Sequence, residues 1–475
     1  MQKNILMLVN DHQAYYGHDE RYHIFRPNYE KLAAEGAHFP HTYCSTPLCC
    51  PSRRTLLSGL YTAHHGQVKN GAAPFTYDTS IGRLKDAGYR VYYYGKWHAG
   101  AGNPADFGAE GFTCEEYGNP YLKEEYQQYL VEMHLPFPRV LVEHDWCTPG
   151  WIDDFQEGTE YEPRRKNMNE CISGLLTTPK ETHEAFFLAH EACRKLEQIQ
   201  KSDEPFCMEV HFWGPHQPYT PTAEFAEMYS PEKISEYPSF RDNLKTKPEI
   251  YQFEGGRGIS HDYHIDLRND VPWKVWAETM SRCYGQITLV DQAGGMILDK
   301  LEELGLAEDT LVLWTTDHGD ALASHGGHFD KDAYMIEETL RIPLAMRCDN
   351  VIPRGTVCQE LISNADLAPT MLAAAGTQFR NSVDGKNILE LFTNPEVQWR
   401  NQVYSESFGH HLPHRAQVMA DKRYKYVRNR DQMEELYDLE TDPYEMTNLA
   451  LMEEYKPLLE KKRALLDQFM KENRI

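Results

Sequence analysis

The sequence predicts an α/β fold in which buried strands carry polar groups to one edge of a sheet, followed by a smaller strand-plus-helix domain. Three observations carry that prediction. Short apolar runs end on charged residues, helix-like segments alternate with them, and the texture of the chain changes beyond about Asn387. At 475 residues and 41% hydrophobic the chain exceeds a single core, which seldom grows past roughly 250–300 residues. The division drawn is a main α/β domain over residues 1–386 and a small α+β domain over residues 387–475.

The elements follow in order. Ile5 to Val9 is an apolar run that reads as a buried strand and delivers Asn10, Asp11 and His12 at its carboxyl end. Tyr92 to Tyr94 read as a second strand, with Lys96 and His98 just after Gly95. Gln286 to Leu306 has apolar residues at helical spacing and Gly305 near its end. It leads into "TLVLWTTDHG", a strand that stops on Asp317 and His318. In open parallel sheets ligands bind beyond the carboxyl ends of the strands, so two strands ending in Asp and His point to one site. Tyr117 to Pro179 and Tyr237 to Pro272 have weak periodicity and read as insertions and loops. In the last part, "QVMADKRYKYVRNR" alternates as strands do, Asp442 and Pro443 mark a turn, and Glu453 to Asn473 reads as a charged amphipathic helix.

Composition excludes several function classes. A net charge of −24 argues against a broad nucleic-acid or anionic-membrane surface, so an anionic substrate requires a local basic pocket. The apolar run near the N-terminus is too short for a signal peptide, and nothing later approaches a membrane span, which gives a cytoplasmic expectation. Eleven cysteines without regular spacing read as reduced thiols, most of them ordinary core residues.

Asp11, Asp317 and His318 form a reasonable ligand set for a divalent metal, although each could equally cap a turn after a strand. The segment "DHGDALASHGGHFDK" adds Asp320, His325, His328 and Lys331, a density of titratable groups that a structural loop does not need. In "YYYGKWHAG", Lys96 and His98 alternate, so an extended backbone turns both the same way; solvated Lys and His beside an aromatic strand are the plainer reading. His216 sits between two prolines in "HFWGPHQPYTP", where a rigid turn can hold a working imidazole or simply be a turn.

One stretch asks for more. "PLCCPSRRTLLSG" places two thiols beside a proline, a serine and two arginines, and it resembles the CxPSRxxLLxG signature of the type I sulfatases, in the alkaline phosphatase superfamily. Spacing selects Cys49 as the key residue, while Cys50 falls on the variable position. The resemblance covers most of the chain. "NILMLVND" is similar to the family's opening strand, "GYRVYYYGKWHAG" to its second signature, "GPHQPY" to its histidine loop and "WTTDHGDALASHG" to its second metal segment. "KRYKYVRN" and "ELYDLETDPYEMTNLA" are similar to its C-terminal domain. The resemblance implies a large mixed sheet sandwiched by helices, then a small antiparallel sheet with a C-terminal helix.

It also implies chemistry. A maturation enzyme oxidises Cys49 to formylglycine, whose hydrate presents a hydroxyl that attacks the sulfur of a sulfate ester. Asp11, Asp317 and His318, with position 49 and His12 or Asn10, hold one divalent ion. That ion is calcium by family, or manganese, magnesium or zinc because His12 stands where many sulfatases have a second aspartate. Arg53 and Lys96 stabilise developing charge. His216 and Lys331 face the sulfate and the leaving oxygen, and His98 takes a proton from the second hydroxyl. The expected partners are a sulfated small molecule or carbohydrate and the sulfatase-maturing enzyme. "GHHLPHR" offers His411, His414 and Arg415 as pocket residues, or as a surface cluster before a strand. Two alternatives stand beside this reading: a phosphonate monoester or phosphodiester hydrolase of the same superfamily, and a catalytically silent metal- or sulfate-binding homologue.

Overall fold

Eight strands form the main sheet, in the order Thr356–Val357, Ala37–His38, Leu344–Arg347, Thr310–Thr316, Asn4–Asp11, Phe206–Pro215, Arg90–Lys96 and Glu110–Cys114. The computed structural model describes residues 2–16, 23–114, 118–145, 156–164, 172–202, 204–254, 271–331, 333–410 and 413–475. The five strands from Thr310–Thr316 to Glu110–Cys114 run parallel. Leu344–Arg347 is antiparallel to both its neighbours, which makes the sheet mixed. Central parallel strands are covered on both faces and so read as continuous apolar runs; Leu6, Met7 and Leu8 are all buried.

Each face has its own core. On one, Leu6, Leu8, Val210 and Trp314 pack under the helices Glu184–Ile199 and Trp273–Glu303, using Phe187, Leu188, Val290 and Ala293. On the other, Ile5, Met7 and Val9 meet Leu56, Leu57, Leu84 and Met371 from the helices Cys49–Ser58, Ser80–Asp86 and Leu367–Ala374. Helix and sheet approach closely at Gly294, where a Cβ would stand 2.4 Å from the Trp314 ring. The long helix starts at Trp273, well before the Gln286 at which its regular spacing becomes evident. Its first half packs Trp276, Met280 and Tyr284 against a separate apolar cluster that includes Val142 and Tyr219.

The C-terminal part is a four-stranded antiparallel sheet, in the order Val403–Gly409, Pro413–Ala420, Tyr424–Asn429 and Glu435–Asp438, with the helix Lys456–Asn473 against it. Alternation divides its residues. Val403, Val418 and Val427 pack on Tyr43, Leu340 and Ile342 of the main part, while Tyr404, Met419 and Tyr426 meet Leu459 and Leu466 of the helix.

Two sequence expectations change. The segment read as loops from residue 117 to 179 holds a helix, Glu124–Glu132, and a three-stranded antiparallel sheet with Val140–Asp145 between Glu160–Tyr161 and Ile172–Leu176. These strands are short, and Glu143 and His144 break the apolar alternation that would mark the central one. The C-terminal helix starts at Lys456, because Glu453–Tyr455 is a separate turn of tighter helix. Of the second insertion, the described part ends in the short helix Glu249–Glu254, and residues 255–270 lie outside the described residues. Among the described residues no helix is long and apolar enough to cross a membrane.

Candidate active site

Asn10 pairs with Thr316 in the parallel register of Asn4–Asp11 and Thr310–Thr316. The residues that follow, Asp11 and Asp317, therefore leave the sheet side by side. The helix Cys49–Ser58 meets them with its first turn; Leu48 caps it in an extended conformation, and Gly59 ends it at φ 68°, where its N–H bonds the Thr55 carbonyl. Every residue of that helix is buried, its serines and arginines included. Ser52 Oγ donates to the Asp317 carbonyl (2.6 Å) and accepts from Asn364 Nδ2 (2.8 Å). Arg53 Nε donates to Asp317 Oδ2 (2.9 Å). The serine and arginine that follow Cys49 thus dock the helix start onto the strand end.

Asp11, Cys49, Asp317 and His318 each present one donor atom, all within 4.8 Å of one another and all buried. His318 Nδ1 lies 2.8 Å from the Gly319 carbonyl, which can only accept, so the proton sits on Nδ1. The Nε2 lone pair is left facing Cys49 Sγ at 3.2 Å. Asp317 Oδ1 accepts the backbone N–H groups of His12 (3.0 Å) and His318 (2.9 Å). Lys96 Nζ donates to Asp11 Oδ2. Asp11 Oδ1 faces Arg53 Nη2 at 3.5 Å, and neither atom has a hydrogen bond among the described residues.

The two carboxylates differ in charge preference. Burial and the neighbouring Asp317 charge raise Asp11 against the pull of Lys96 and Arg53. Burial also works against the Asp317 anion, yet His318, Arg53 and Lys96 hold that carboxyl well below the usual range. Burial pushes the Cys49 thiol up to about 12. As it stands, that thiol is no nucleophile at neutral pH.

A second group faces the first. His12, His216 and Asp330 bring donor atoms within 4.8 Å of one another. His12 turns at φ 64°, and its ring lies between the two groups, with centroids 4.9 Å from the His318 ring and 4.7 Å from the His216 ring. Its Nε2 lies 3.4 Å from Asp330 Oδ1 and 3.5 Å from Asp320 Oδ1. Lys331 Nζ is 2.8 Å from Asp330 Oδ1 and 3.0 Å from His216 Nε2. His216 Nδ1 approaches the Gln217 carbonyl at 2.9 Å, so Nε2 accepts from the lysine. Burial first, then the Lys331 charge, lowers both His12 and His216. His98, at φ 35° just beyond the strand end, is lowered by burial and by Lys96, Arg53 and Lys331, which places it in the same field.

Cys49, Arg53, Lys96, Asp11, Asp317 and His318 thus meet at one point, with His216 and Lys331 gathered opposite and His12 among the latter. His414 and Arg415 do not join them. His414 Nε2 pairs with Asn429 Oδ1 (2.9 Å), while Arg415 pairs with Glu406 Oε2 (2.7 Å) and lies over the Phe408 ring, all within the small sheet. From the same loop it is His410 whose charge is felt at Asp330; His411 lies outside the described residues. Sequence reasoning passed over Asp330, which sits beside Lys331 in a segment already marked, and over Glu209 and His211, which interrupt a buried strand.

The family model described as Sulfatase matches residues 3–377, and one described as N-sulphoglucosamine sulphohydrolase, C-terminal, matches residues 324–472. The uncharacterized sulfatase YidJ of Escherichia coli (strain K12) is 29% identical over 451 residues, covering 89% of this chain and 77% of that protein. An arylsulfatase of Clostridium perfringens is 25% identical over 474 residues, covering 98% and 94%. The fold matches the phosphonate monoester hydrolase of Agrobacterium radiobacter with a TM-score of 0.80 at 20% identity, over 99% of this chain and 96% of that one. It matches a protein solved with its substrate D-glucosamine-2-N,6-O-disulfate with a TM-score of 0.72 at 19% identity, over 99% and 98%. With a family match that spans most of the chain and a strand-edge cluster built around its signature cysteine, the chain belongs to the sulfatase family of sulfuric ester hydrolases, within the alkaline phosphatase superfamily.

Proposed function

We propose that the chain hydrolyses a sulfate ester through a formylglycine made from Cys49, beside one divalent cation held by Asp11, Asp317, His318 and position 49. The observation that carries this is the buried convergence of Asp11, Asp317 and His318 on Cys49 at the strand ends. The donors fit a cation: Asp11 Oδ1 has no hydrogen bond among the described residues, and the His318 lone pair faces Cys49. An imidazole among the donors suits zinc better than calcium. The ion and the hydrated aldehyde would supply an activated hydroxyl and positive charge at the reacting oxygen atoms.

The chain's own residues do the rest. Lys96 and Arg53 balance Asp11 and Asp317 from behind, so any added cation leaves the pocket net positive inside an acidic protein. Lys331, braced by Asp330 and His216, faces the leaving oxygen and supplies its proton. His98, kept neutral by burial and the surrounding cations, is suited to accept a proton. A sulfated sugar is the substrate class we favour: an N-acetylglucosamine-6-O-sulfatase of Bacteroides thetaiotaomicron is 24% identical over 98% of this chain.

One observation favours a second reading. A single aspartate at the first strand end followed by His12, with an Asp-His pair later, fits a phosphonate monoester hydrolase. The test begins with protein made alongside a sulfatase-maturing enzyme. The peptide carrying Cys49 should show the mass of an aldehyde at position 49 and a thiol at position 50, and aryl sulfate should be turned over faster than aryl phosphonate. The reverse rate order would select the second reading. A thiol persisting at position 49, under conditions that convert a control sulfatase, would leave a silent binding protein.

A further inference from the structure

The strand Phe206–Pro215 lies between Asn4–Asp11 and Arg90–Lys96 and is buried along its whole length. Such a strand is ordinarily apolar, because an ionisable group there loses its water. This one carries Glu209 and His211, each 2% exposed, at alternate positions and so on one face. Cys207, one step back on that face, packs in the core with Leu56 and Leu57. The two polar residues therefore point toward the helix that carries Cys49.

What they meet there is Arg53. Its Nη1 lies 3.1 Å from His211 Nδ1. A guanidinium has only donors, so His211 Nδ1 must be the acceptor and its proton must sit on Nε2. That nitrogen is 3.1 Å from Glu209 Oε2, which takes the proton's hydrogen bond. Glu209 Oε1 has no hydrogen bond among the described residues, so the carboxylate's tie to the site runs through this ring. The ring itself stacks on Tyr93, with centroids 4.6 Å apart and planes 24° apart. Tyr93 donates its hydroxyl to the Lys96 carbonyl (2.7 Å), the same oxygen that accepts Arg53 Nη1 at 3.0 Å.

We propose that His211 and Glu209 are positioning residues for the cation site: the Glu209–His211 pair fixes the rotation of the Arg53 guanidinium, and Arg53 in turn fixes Asp11 and Asp317. The guanidinium is held by Asp317 through Nε and by His211 and the Lys96 carbonyl through Nη1, which leaves Nη2 turned to Asp11 Oδ1. Removing the His211 acceptor leaves Nη1 with the Lys96 carbonyl alone, which loosens that arm of the fork and lets the two carboxylates drift apart. The proposal rests on the reading of Asp11 and Asp317 as cation ligands.

The test uses the full chain with Cys49 unmodified, and Mn(II) as the probe, its free concentration read from its electron paramagnetic resonance signal. His211→Leu should weaken Mn(II) binding by about 10–100-fold, the range seen when partners of metal ligands are removed. His211→Asn, whose side-chain oxygen can take the place of Nδ1, should recover most of that loss. In matured enzyme, His211→Leu should lower kcat with little change in KM for an aryl sulfate. Equal affinity for wild type and His211→Leu, with binding lost in Asp317→Ala, would overturn the proposal while sparing the cation site. So would a His211→Asn protein as impaired as His211→Leu, since that pattern assigns the ring to packing alone. If Asp317→Ala binds Mn(II) as tightly as wild type, the cation reading fails and the proposal falls with it. Should His211→Leu not melt cooperatively, Glu209→Leu against Glu209→Gln decides: weaker binding in the leucine variant is expected, and equal binding would overturn the proposal.

Discussion

Asp11, Cys49, Asp317 and His318 at the strand ends, and His325, Glu338 and Glu445 where the small sheet meets the main part, each bring buried donor atoms within 4.8 Å of one another. The fixed cations around them are arranged differently. In the second cluster Lys425 Nζ touches Glu445 and lies 3.2 Å from Glu337 Oε1, while Lys247 Nζ donates to the Glu445 carbonyl (2.6 Å) and the Tyr437 hydroxyl (3.0 Å). His325 Nε2 stands 3.4 Å from Glu338 Oε2; burial and Lys247 oppose its charge, but Glu338 and Asp242 raise it above its ordinary value. Lys425 there staples residues of the C-terminal part, Glu445 among them, to Glu337 of the main part. At the strand ends Lys96 and Arg53 pair with Asp11 and Asp317, and the His318 lone pair and position 49 face one another. A lysine on a carboxylate is common to both clusters; the thiol at position 49 is what sets the strand-end cluster apart.

The largest break in that comparison comes from Cys49→Ala. Loss of the nucleophile should lower kcat/KM for an aryl sulfate by about a thousandfold or more, with a melting temperature close to wild type, because no charged partner is stranded. Activity retained within a factor of ten would sink the assignment of position 49. Lys425→Met should do the opposite. It strands Glu337 and Glu445, and breaking a buried pair costs about 3–5 kcal/mol, read as a lower urea midpoint; Mn(II) affinity of the folded protein should not move. A stability unchanged within error would mean that this cluster is no staple. Lys331→Ala sharpens the strand-end side: general-acid loss is worth about 10²–10⁴-fold, and it should fall hardest on poor leaving groups. An equal loss on nitrophenyl and alkyl sulfates would take the proton-donor role from Lys331.

Much of this arrangement was legible in the sequence because the fold uses simple rules there. Apolar runs that stop on Asp become strand ends, and parallel register sets Asp11 beside Asp317. The signature around Cys49 pointed to the helix start that docks on them. What local patterns could not show was direction. His12 follows a ligand candidate in sequence, but its φ of 64° turns it to Asp320 and Asp330. His414 and Arg415 were candidates for a pocket, yet Asn429 and Glu406, distant in sequence, draw them into the small sheet. Glu209 and His211 look like faults in a strand until Arg53, more than a hundred residues away, is placed beside them.

Glu184 supplies a third case for the comparison, a buried carboxyl with no Lys or Arg at ion-pair distance among the described residues. It opens the helix Glu184–Ile199, accepts the Gly214 N–H on Oε1 (3.0 Å), and among the described residues has no hydrogen bond on Oε2. Burial pushes it up to about 8, despite the lowering effect of the Gly214 and Trp213 N–H groups. In the unfolded chain the same carboxyl titrates near 4.3, so between about 4.3 and 8 the folded state holds a proton that the unfolded state has lost. Stability from this group is therefore greatest at low pH and falls as pH rises through that window, by at most about 1.4 kcal/mol per pH unit, levelling above it. Glu184→Gln keeps an acceptor for Gly214 and removes the titration. Urea midpoints of the two proteins should converge as pH falls toward about 4.3, and the glutamine variant should pull ahead as pH rises toward about 8. Parallel curves would mean that Glu184 is ionised in the folded protein and that a cation, not the proton, balances it.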